Sequence, residues 1–295
     1  MRRSTIALAL AALWAPAVAQ GQFQVNRRIA IAPDASIRVL NLVGSIRVIG
    51  WDHDSLAVTG SLPPYAGKMF YFGGAGRAAK LGVDAPDGAE PPAGSNLMVY
   101  VPRGAKLWIK AATADIDVSG FHGSLDLYSV SGVIRVAGAP AQVYAESMDG
   151  RVEITGPATW VRAKTASGPI TLRGGGEDVA ATTVGGTITV DSARITRGRF
   201  ESVTGDIRFD GDLDRGASVT FESHSGAIEL RLPGTVSADF RINEFQGEIV
   251  NGLSRDRPRS LRERGGRELT FTVGQGGADV SIRSFKGAIL LRKRQ

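Results

Sequence analysis

The sequence predicts an all-β fold, a β-solenoid in which short strands from successive copies of a motif stack on one another. Three observations predict it: a motif that recurs ten times, a repeat length close to 20 residues, and alternation of apolar and polar positions within each copy. The motif reads apolar-x-apolar-x-Ser/Thr-x-x-Gly-x-Ile-x-Val, and residues 127–136 form one of its cleanest copies. A fixed period of about 20 residues is typical of stacked-repeat architectures.

The glycine of the motif defines the period. It occurs at Gly44, Gly132, Gly150, Gly168, Gly186, Gly205, Gly226, Gly247 and Gly287. Ala114 occupies the same position in the second copy, and the spacing from there is 18 residues up to Gly186, then 19, 21 and 21. We therefore expect rungs of 18–21 residues with the glycine at a corner, because glycine adopts positive φ without a Cβ penalty. Ala114 is expected to cause some strain there.

Two short strands flank each corner. The strand after the glycine carries an apolar column two residues on, made of Ile46, Ile116, Ile134, Val152, Ile170, Ile188, Ile207, Ile228, Ile249 and Ile289. A second apolar column lies two residues further, with Asn251 as its one departure. The residues between are polar, so one face is expected to be buried and the other exposed. Opposite charges such as Asp117, Arg135 and Glu153 fall on successive turns of the exposed face.

The strand before the glycine ends in a column of hydroxyl side chains. Its members are Ser129, Ser147, Thr165, Thr183, Ser202, Ser223 and Ser284, with Asn41, Ala111 and Glu244 in the remaining copies. Seven equivalent hydroxyls favour hydrogen bonds inside the coil. A catalytic serine is the alternative interpretation.

The chain divides into a signal peptide, residues 1–19, and a single solenoid domain, residues 20–295. Two arginines, a short apolar run and a small-residue cleavage site predict the signal peptide and hence export to the periplasm or cell surface. Within the domain, residues 20–104 hold the first rung and an irregular cap region, and residues 105–251 hold the regular repeats. Residues 252–295 hold a basic insertion and the last copy, which resumes the pattern and closes the chain. Terminal repeats are expected to shield the open strand edges.

The opening run from Gly44 to Trp51, together with the serial Ser-Gly-x-Ile-x-Val copies, resembles a family of exported bacterial proteins known as "putative adhesins". The resemblance covers essentially the whole mature chain. It implies a right-handed, single-stranded β-helix of unknown biochemical function and carries no catalytic residues over to this chain.

Two surfaces are candidate sites. The insertion carries Arg255, Arg257, Arg259, Arg262, Arg264 and Arg267. It contributes to a net charge of +7 over residues 251–295, from eleven Lys or Arg and four Asp or Glu. Such a surface fits an anionic envelope polymer, and a flexible solvated loop is the alternative. Glu201 and Glu222, on adjacent turns, form an acidic pair suited to glycosidase chemistry or calcium, with a solvated surface pair as the alternative.

The other candidate residues favour structural roles. His53, His122 and His224 lack metal-ligand spacing, so we expect no metal and no cofactor. Phe70, Tyr71 and Phe72, with Tyr65, fit cap packing better than sugar stacking. His224 falls in a column two residues before the motif glycine that is otherwise apolar, with Val130, Met148, Ala166, Val184, Val203, Phe245 and Phe285.

These observations predict a non-catalytic binding or structural module at the cell envelope, possessing neither a membrane span nor an affinity for nucleic acid. The expected partner is an envelope polysaccharide or another envelope protein. A polysaccharide lyase or hydrolase on a β-helix scaffold is the alternative, and it requires a groove with several charged residues from neighbouring turns. End-to-end assembly through imperfectly capped strand edges is a third alternative.

Overall fold

The structure is a computed structural model, and it describes residues 22–84, 93–261 and 265–294 of the chain. It is all-β, as predicted, with one short 3-10 helix at Pro64–Lys68 in these ranges. The strands belong to one continuous, nearly closed sheet. None of the helical structure described is long and apolar enough to cross a membrane. The predicted signal peptide, residues 1–19, lies outside the described residues.

The strands are short, and most follow the motif. The N-terminal part supplies β1 (Phe23–Ala30), β2 (Ser36–Asn41), β3 (Gly44–Trp51), β4 (Ser55–Leu62), β5 (Phe70–Ala75), β6 (Ala78–Val83) and β7 (Ser95–Pro102). The regular copies supply β8 (Lys106–Lys110), β9 (Asp115–Phe121), β10 (Ser124–Ser129), β11 (Ile134–Gly138), β12 (Gln142–Ser147), β13 (Val152–Thr155), β14 (Ala158–Thr165), β15 (Ile170–Arg173), β16 (Gly176–Thr183), β17 (Ile188–Ser202), β18 (Ile207–Ser223), β19 (Ile228–Leu232), β20 (Ala238–Glu244) and β21 (Ile249–Asn251). The C-terminal part supplies β22 (Arg259–Ser260), β23 (Arg267–Val273), β24 (Ala278–Ser284) and β25 (Ile289–Lys293).

Each regular copy contributes one strand to each of two parallel stacks. In the first stack, β8, β10, β12, β14 and β16 pair in that order. In the second stack, β9, β11, β13 and β15 pair in that order. The longer strands β17 and β18 run from the second stack into the first, which joins the two stacks into one sheet.

Like side chains lie over like in the buried face of both stacks. Ile134 pairs with Ile116 on one side and Val152 on the other, and all three have no exposed surface. Burial of such side chains contributes about 25 cal/mol for each Å² removed from water. The predicted alternation of buried and exposed positions is therefore confirmed.

The outward positions between these columns carry the predicted charge alternation. Arg135 lies 3.4 Å from Asp117 on one neighbouring strand and 3.4 Å from Glu153 on the other. Another outward pair of opposite charge, Glu146 and Lys164, is also opposed in register. There, however, Lys164 lies over the Tyr144 ring, and Glu146 accepts a hydrogen bond from the Tyr144 hydroxyl.

The motif glycine has a different role from the one predicted. Among the motif glycines only Gly44 has a positive φ, 110°. The others are required because the backbones of successive copies approach closely at this corner. A Cβ on Gly168 would collide with the carbonyl oxygen of Gly150, and one on Gly186 would collide with that of Gly168. The strain expected at Ala114 rested on positive φ, which among the motif glycines occurs at Gly44 alone.

Positive φ occurs instead at the opposite corner, after the second strand of three successive copies. Gly138, Gly156 and Gly174 have φ values of 133°, 109° and 120° and repeat at the 18-residue period. These are the positions where the sheet turns back toward the first stack. The glycine requirement of the fold therefore has two causes at two corners, backbone approach at one and left-handed backbone at the other.

The first copy of the motif does not lie at the end of the stacks. β2 is inserted between β6 and β8, and β3 is inserted between β7 and β9. The outer partners are then covered by antiparallel strands, β5 on β6 and β4 on β7, with β1 on β4. Antiparallel strands thus close the N-terminal end of both stacks and limit further parallel pairing there.

The last copy is also inserted, which the sequence did not lead us to expect. β24 lies between β18 and β20, and β25 lies between β19 and β21. The preceding copy is therefore the terminal one in space, and β23 covers its first strand, β20, in an antiparallel pairing. Any copy presents the same ladder of backbone groups, so the order along the stack need not follow the order along the chain.

Asn251, the departure from the second apolar column, ends the terminal copy. Its Oδ1 accepts hydrogen bonds from the amides of Leu253 and Ser254, and its Nδ2 donates to the Ser254 hydroxyl and the Asp256 carbonyl. An asparagine side chain that bonds to the backbone two residues on is a turn-forming arrangement. It directs the chain out of the stack and into the basic insertion.

The alternation can be tested with two adjacent substitutions. Ile188 is fully buried, so Ile188→Asp places a charge without a partner in the core and should cost about 4 kcal/mol or more. Thr189 faces outward opposite Arg208, so Thr189→Asp should change stability by less than about 1 kcal/mol. Chemical denaturation measures both, and equal midpoints for the two variants would contradict the assigned faces.

The glycine corner provides a second matched pair. Gly186→Ala forces a Cβ against the Gly168 carbonyl and should cost about 1–3 kcal/mol. The neighbouring Gly185→Ala meets the Thr204 hydroxyl at 3.7 Å and the Ala166 carbonyl oxygen at 3.9 Å, both ordinary contacts, and should be nearly neutral. Thermal melts of both variants decide the matter, and a Gly186→Ala variant as stable as the parent would refute the close-approach explanation.

Candidate binding surfaces

The basic insertion lies at the C-terminal end of the stacks, just beyond the turn made by Asn251. Arg255, Arg257 and Arg259 are exposed, and none of them forms an ion pair within the described part of the chain. Arg262 and Arg264 fall outside the described residues. Three exposed guanidinium groups therefore lie at one end of the molecule without an ion pair in the described residues, with Glu268 as the ladder partner of Arg259 and Asp256 between Arg255 and Arg257.

Arg267 differs from these three because it is tied to the stack. It donates a hydrogen bond to the Gly247 carbonyl, and its guanidinium lies 3.9 Å from the carboxylate of Glu244. Glu244 occupies the hydroxyl column of its copy and has a fully buried side chain. One of its oxygens accepts the Gly247 amide hydrogen bond, and the other has no hydrogen-bond partner in the residues described. Arg267 thus compensates a buried carboxylate and anchors the insertion.

The acidic pair is placed as the sequence predicts. Glu201 in β17 and Glu222 in β18 are direct partners in the parallel ladder. Each is held by an arginine: Arg199 contacts Glu201 at 2.5 Å, and Arg283 contacts Glu222 at 3.4 Å. Both carboxylates therefore have cationic neighbours within the same face of the sheet.

A shallow groove of about 500 Å³ adjoins the acidic pair. It is also lined by Thr182, His224 and Phe285, among others. The flanking guanidinium groups neutralise both carboxylates, which reduces their capacity to hold a cation or to activate a water molecule. Within the described ranges, no three His, Asp or Glu side chains are grouped so that they could hold a metal ion.

The hydroxyl column is structural in its contacts. Ser147 accepts the Gly150 amide at 3.0 Å, and Ser223 donates to the Gly226 carbonyl at 2.8 Å. Thr165 donates to Thr183 in the next copy at 2.9 Å. All seven hydroxyl residues are buried. The Ser202 hydroxyl has no hydrogen-bond partner in the described residues. The other six members bond to corner backbone or along the column, as predicted, and the series holds no exposed serine nucleophile.

Two of the three histidines and the cap aromatics are placed as structural residues. His53 packs edge-on against Trp51 with ring centroids 4.9 Å apart, and His224 stacks on Phe285 at 4.9 Å. Phe70 and Phe72 are partly buried against the core. These contacts agree with the predicted packing role of the aromatic run.

Sequence reasoning missed a cluster of aromatic side chains on the outward face of the first stack. The ring of Tyr128 lies 6.0 Å from that of Trp108 and 5.5 Å from that of Tyr144. Burial raises the pKa of the Tyr144 phenol, and its hydrogen bond to Glu146 raises it further. Trp108 and Tyr144 lie in one column, where Asp126 separates them, and Tyr128 lies in the next outward column. Neither column alone shows an aromatic pattern, so the diagonal register of adjacent copies is the signal that reveals the cluster.

The fold is similar to that of two solved structures. One is described as a putative adhesin from Parabacteroides merdae, with a TM-score of 0.55 and 9% identity over 92% of this chain and 96% of that one. The other is described as a putative adhesin from Parabacteroides distasonis, with a TM-score of 0.55 and 10% identity over 93% of this chain and 98% of that one. At such identities the likeness shows a shared fold alone. Neither a protein-family model nor a curated protein sequence matches the chain.

Proposed function

We propose that this chain is an exported, non-catalytic binding module of the cell envelope, and that it binds an anionic envelope polysaccharide. The observation that supports this most directly is the set of exposed arginines at the C-terminal end, Arg255, Arg257 and Arg259, which have no ion-pair partner in the described residues. Most other arginines on the molecule are neutralised within the chain, as Arg135, Arg199 and Arg283 are.

The scaffold of this surface is proposed to be a right-handed, single-stranded β-solenoid that forms one domain, residues 20–295. Parallel pairing between residues 18 apart, such as Leu125 with Val143, supports a coil with one copy per rung. The buried columns of like side chains support it as well. In such an architecture each rung contacts only its neighbours, so the ends of the coil are the natural sites for extra segments.

Export is proposed from residues 1–19, which have the composition of a secretory signal. The description of the two similar structures as putative adhesins agrees with a surface or periplasmic location. An anionic polysaccharide is the proposed ligand because phosphate or carboxylate groups repeat along such polymers, and arginine binds them through charge-assisted hydrogen bonds.

A lyase or hydrolase is less well supported. The groove beside Glu201 and Glu222 is the observation in its favour. Its carboxylates are neutralised by Arg199 and Arg283, and a general acid or a nucleophile in such a pair has to be free to act on the substrate. These contacts favour binding over cleavage, and the length of the polymer after incubation distinguishes the two.

The test measures retention of the purified protein on immobilised anionic and neutral polysaccharides. The triple variant Arg255→Gln, Arg257→Gln, Arg259→Gln should bind the anionic polymer about tenfold more weakly, since each exposed charge contributes roughly 0.5 kcal/mol. Retention by the parent should fall as salt is raised, because exposed charges are screened. The polymer should keep its length on incubation.

The matched control removes the same number of charges from the other end of the molecule. Arg27, Arg38 and Lys110 are exposed, and their change to Gln should leave retention nearly unaltered. Equal losses of retention for both triple variants would mean that net charge alone, and not this surface, explains binding. Binding that survives the C-terminal substitutions, or shortening of the polymer, would overturn the proposal.

A further inference from the structure

An exposed apolar ridge runs along one corner of the stacks. It is formed by the residue two positions before the motif glycine in the last eight copies of the motif, which follows the hydroxyl column. Leu42 and Ala112 hold this position in the first two copies, where they are half-buried and are not counted in the ridge. In stacking order, the ridge consists of Val130, Met148, Ala166, Val184, Val203, His224, Phe285 and Phe245. Six of these side chains are large, apolar and between 37% and 54% exposed. We call this surface the corner ridge.

The corner ridge tapers along its length. At one end His224, Phe285 and Phe245 stack face to face, with successive ring centroids 4.9 Å apart. At the other end the side chains are those of valine, methionine and alanine. Eight positions at about 4.8 Å give a length of about 34 Å. A continuous apolar surface of this kind, bordered by polar columns, marks an interaction site.

We propose that the corner ridge is the contact surface between two copies of this chain, related by a twofold axis perpendicular to the ridge. In that arrangement the ridges run antiparallel and share one spacing, so every position meets a counterpart. Aromatic rings then face aliphatic side chains: Phe245 faces Val130, Phe285 faces Met148 and His224 faces Ala166. Val184 and Val203 meet at the centre. The side chains of two antiparallel ridges are thus complementary in size, as an isologous interface requires.

The flanks of the ridge are complementary in charge in the same arrangement. A twofold axis perpendicular to the ridge brings each flanking column of one copy opposite the same column of the other copy, running in the opposite direction. In the column following the ridge, Asp149 of one copy then faces Lys286 of the other. Both are exposed, and neither forms an ion pair within the described chain.

The column on the other flank gives two further opposite pairs. It contains Glu146, Lys164, Thr182, Glu201, Glu222 and Arg283 in stacking order, and reversal places Glu201 opposite Thr182. Reversal places Glu146 opposite Arg283 and Lys164 opposite Glu222, and no like charges meet. The Glu222 to Arg283 ion pair within the chain is exposed, so it can rearrange at little cost.

A parallel arrangement of two copies is disfavoured by the same residues. With the twofold axis along the ridge, the two flanks face each other at the same level. Glu146 would then face Asp149, and Arg283 would face Lys286. Opposed like charges at both levels select the antiparallel dimer.

The strip is narrow, so the dimer is expected to be weak and dependent on concentration. A ridge about 34 Å long with one column on each flank buries less area than the ~800 Å² per partner of a standard interface. A lipid surface is a poorer occupant, because the flanking columns carry acidic as well as basic side chains.

Sedimentation velocity over a concentration series tests the proposal. The parent should pass from monomer to dimer and go no further. The double variant Val184→Lys, Val203→Lys puts cations at the centre of the contact and should raise the dimer dissociation constant by about tenfold or more. Val250→Lys is the matched control, since Val250 is similarly exposed but lies away from the ridge; it should leave dimerisation unchanged. Circular dichroism should show that all variants are folded.

A charge exchange distinguishes a self-contact from any other partner. Asp149→Lys alone and Lys286→Asp alone each place like charges opposite one another and should weaken the dimer. The double exchange restores opposite charges and should restore the parent dissociation constant. A monomer at every concentration, species that grow beyond a dimer, or single and double exchanges with the same effect would each overturn the proposal.

Discussion

The close approach of one copy's backbone to the next is the constraint on which the rest of the structure depends. Parallel strands lie about 4.8 Å apart, and that spacing brings the carbonyl of Gly150 within the space that a Cβ on Gly168 would need. Glycine at this corner lets the ladder continue without interruption. The continuous ladder in turn places Ile134 over Val152 and buries the apolar columns. The same spacing aligns the exposed columns, which is why isolated exposed residues of the sequence become continuous surfaces.

The sequence was sufficient for the all-β class and the buried columns because alternation within a strand leaves one face apolar whatever the arrangement of neighbouring strands. The sequence could not show why glycine is needed at the motif corner, because the glycine spacing is the same whether positive φ or close backbone approach requires it. Gly138 and Gly156, which do have positive φ, lie outside the motif. Two departures from the motif columns have structural roles. Asn251 ends the terminal copy, and Glu244 is the carboxylate to which Arg267 anchors the basic insertion.

The order of the copies could not be predicted for a physical reason. Each copy offers the same parallel edge, so β24 can pair between β18 and β20 as readily as beyond β20. Insertion of the first and last copies leaves antiparallel strands at the ends, and it also brings Phe285 between His224 and Phe245. The candidate sites follow from this arrangement. The basic insertion lies at the end of the stacks where β23 covers β20. The last copy, which is inserted into the stack, supplies Phe285 to the aromatic end of the corner ridge.

Formation of an engineered disulfide tests the stacking most directly, because the chain has no cysteine of its own. Thr171 and Thr189 face outward and are partners in adjacent strands, within the separation that a disulfide spans. Glu153 and Thr189 lie two strands apart, about 10 Å, which is too far. Mild oxidation followed by mass spectrometry should show a bond in Thr171→Cys, Thr189→Cys and none in Glu153→Cys, Thr189→Cys. A bond in the second variant, or none in the first, would contradict the stacked arrangement.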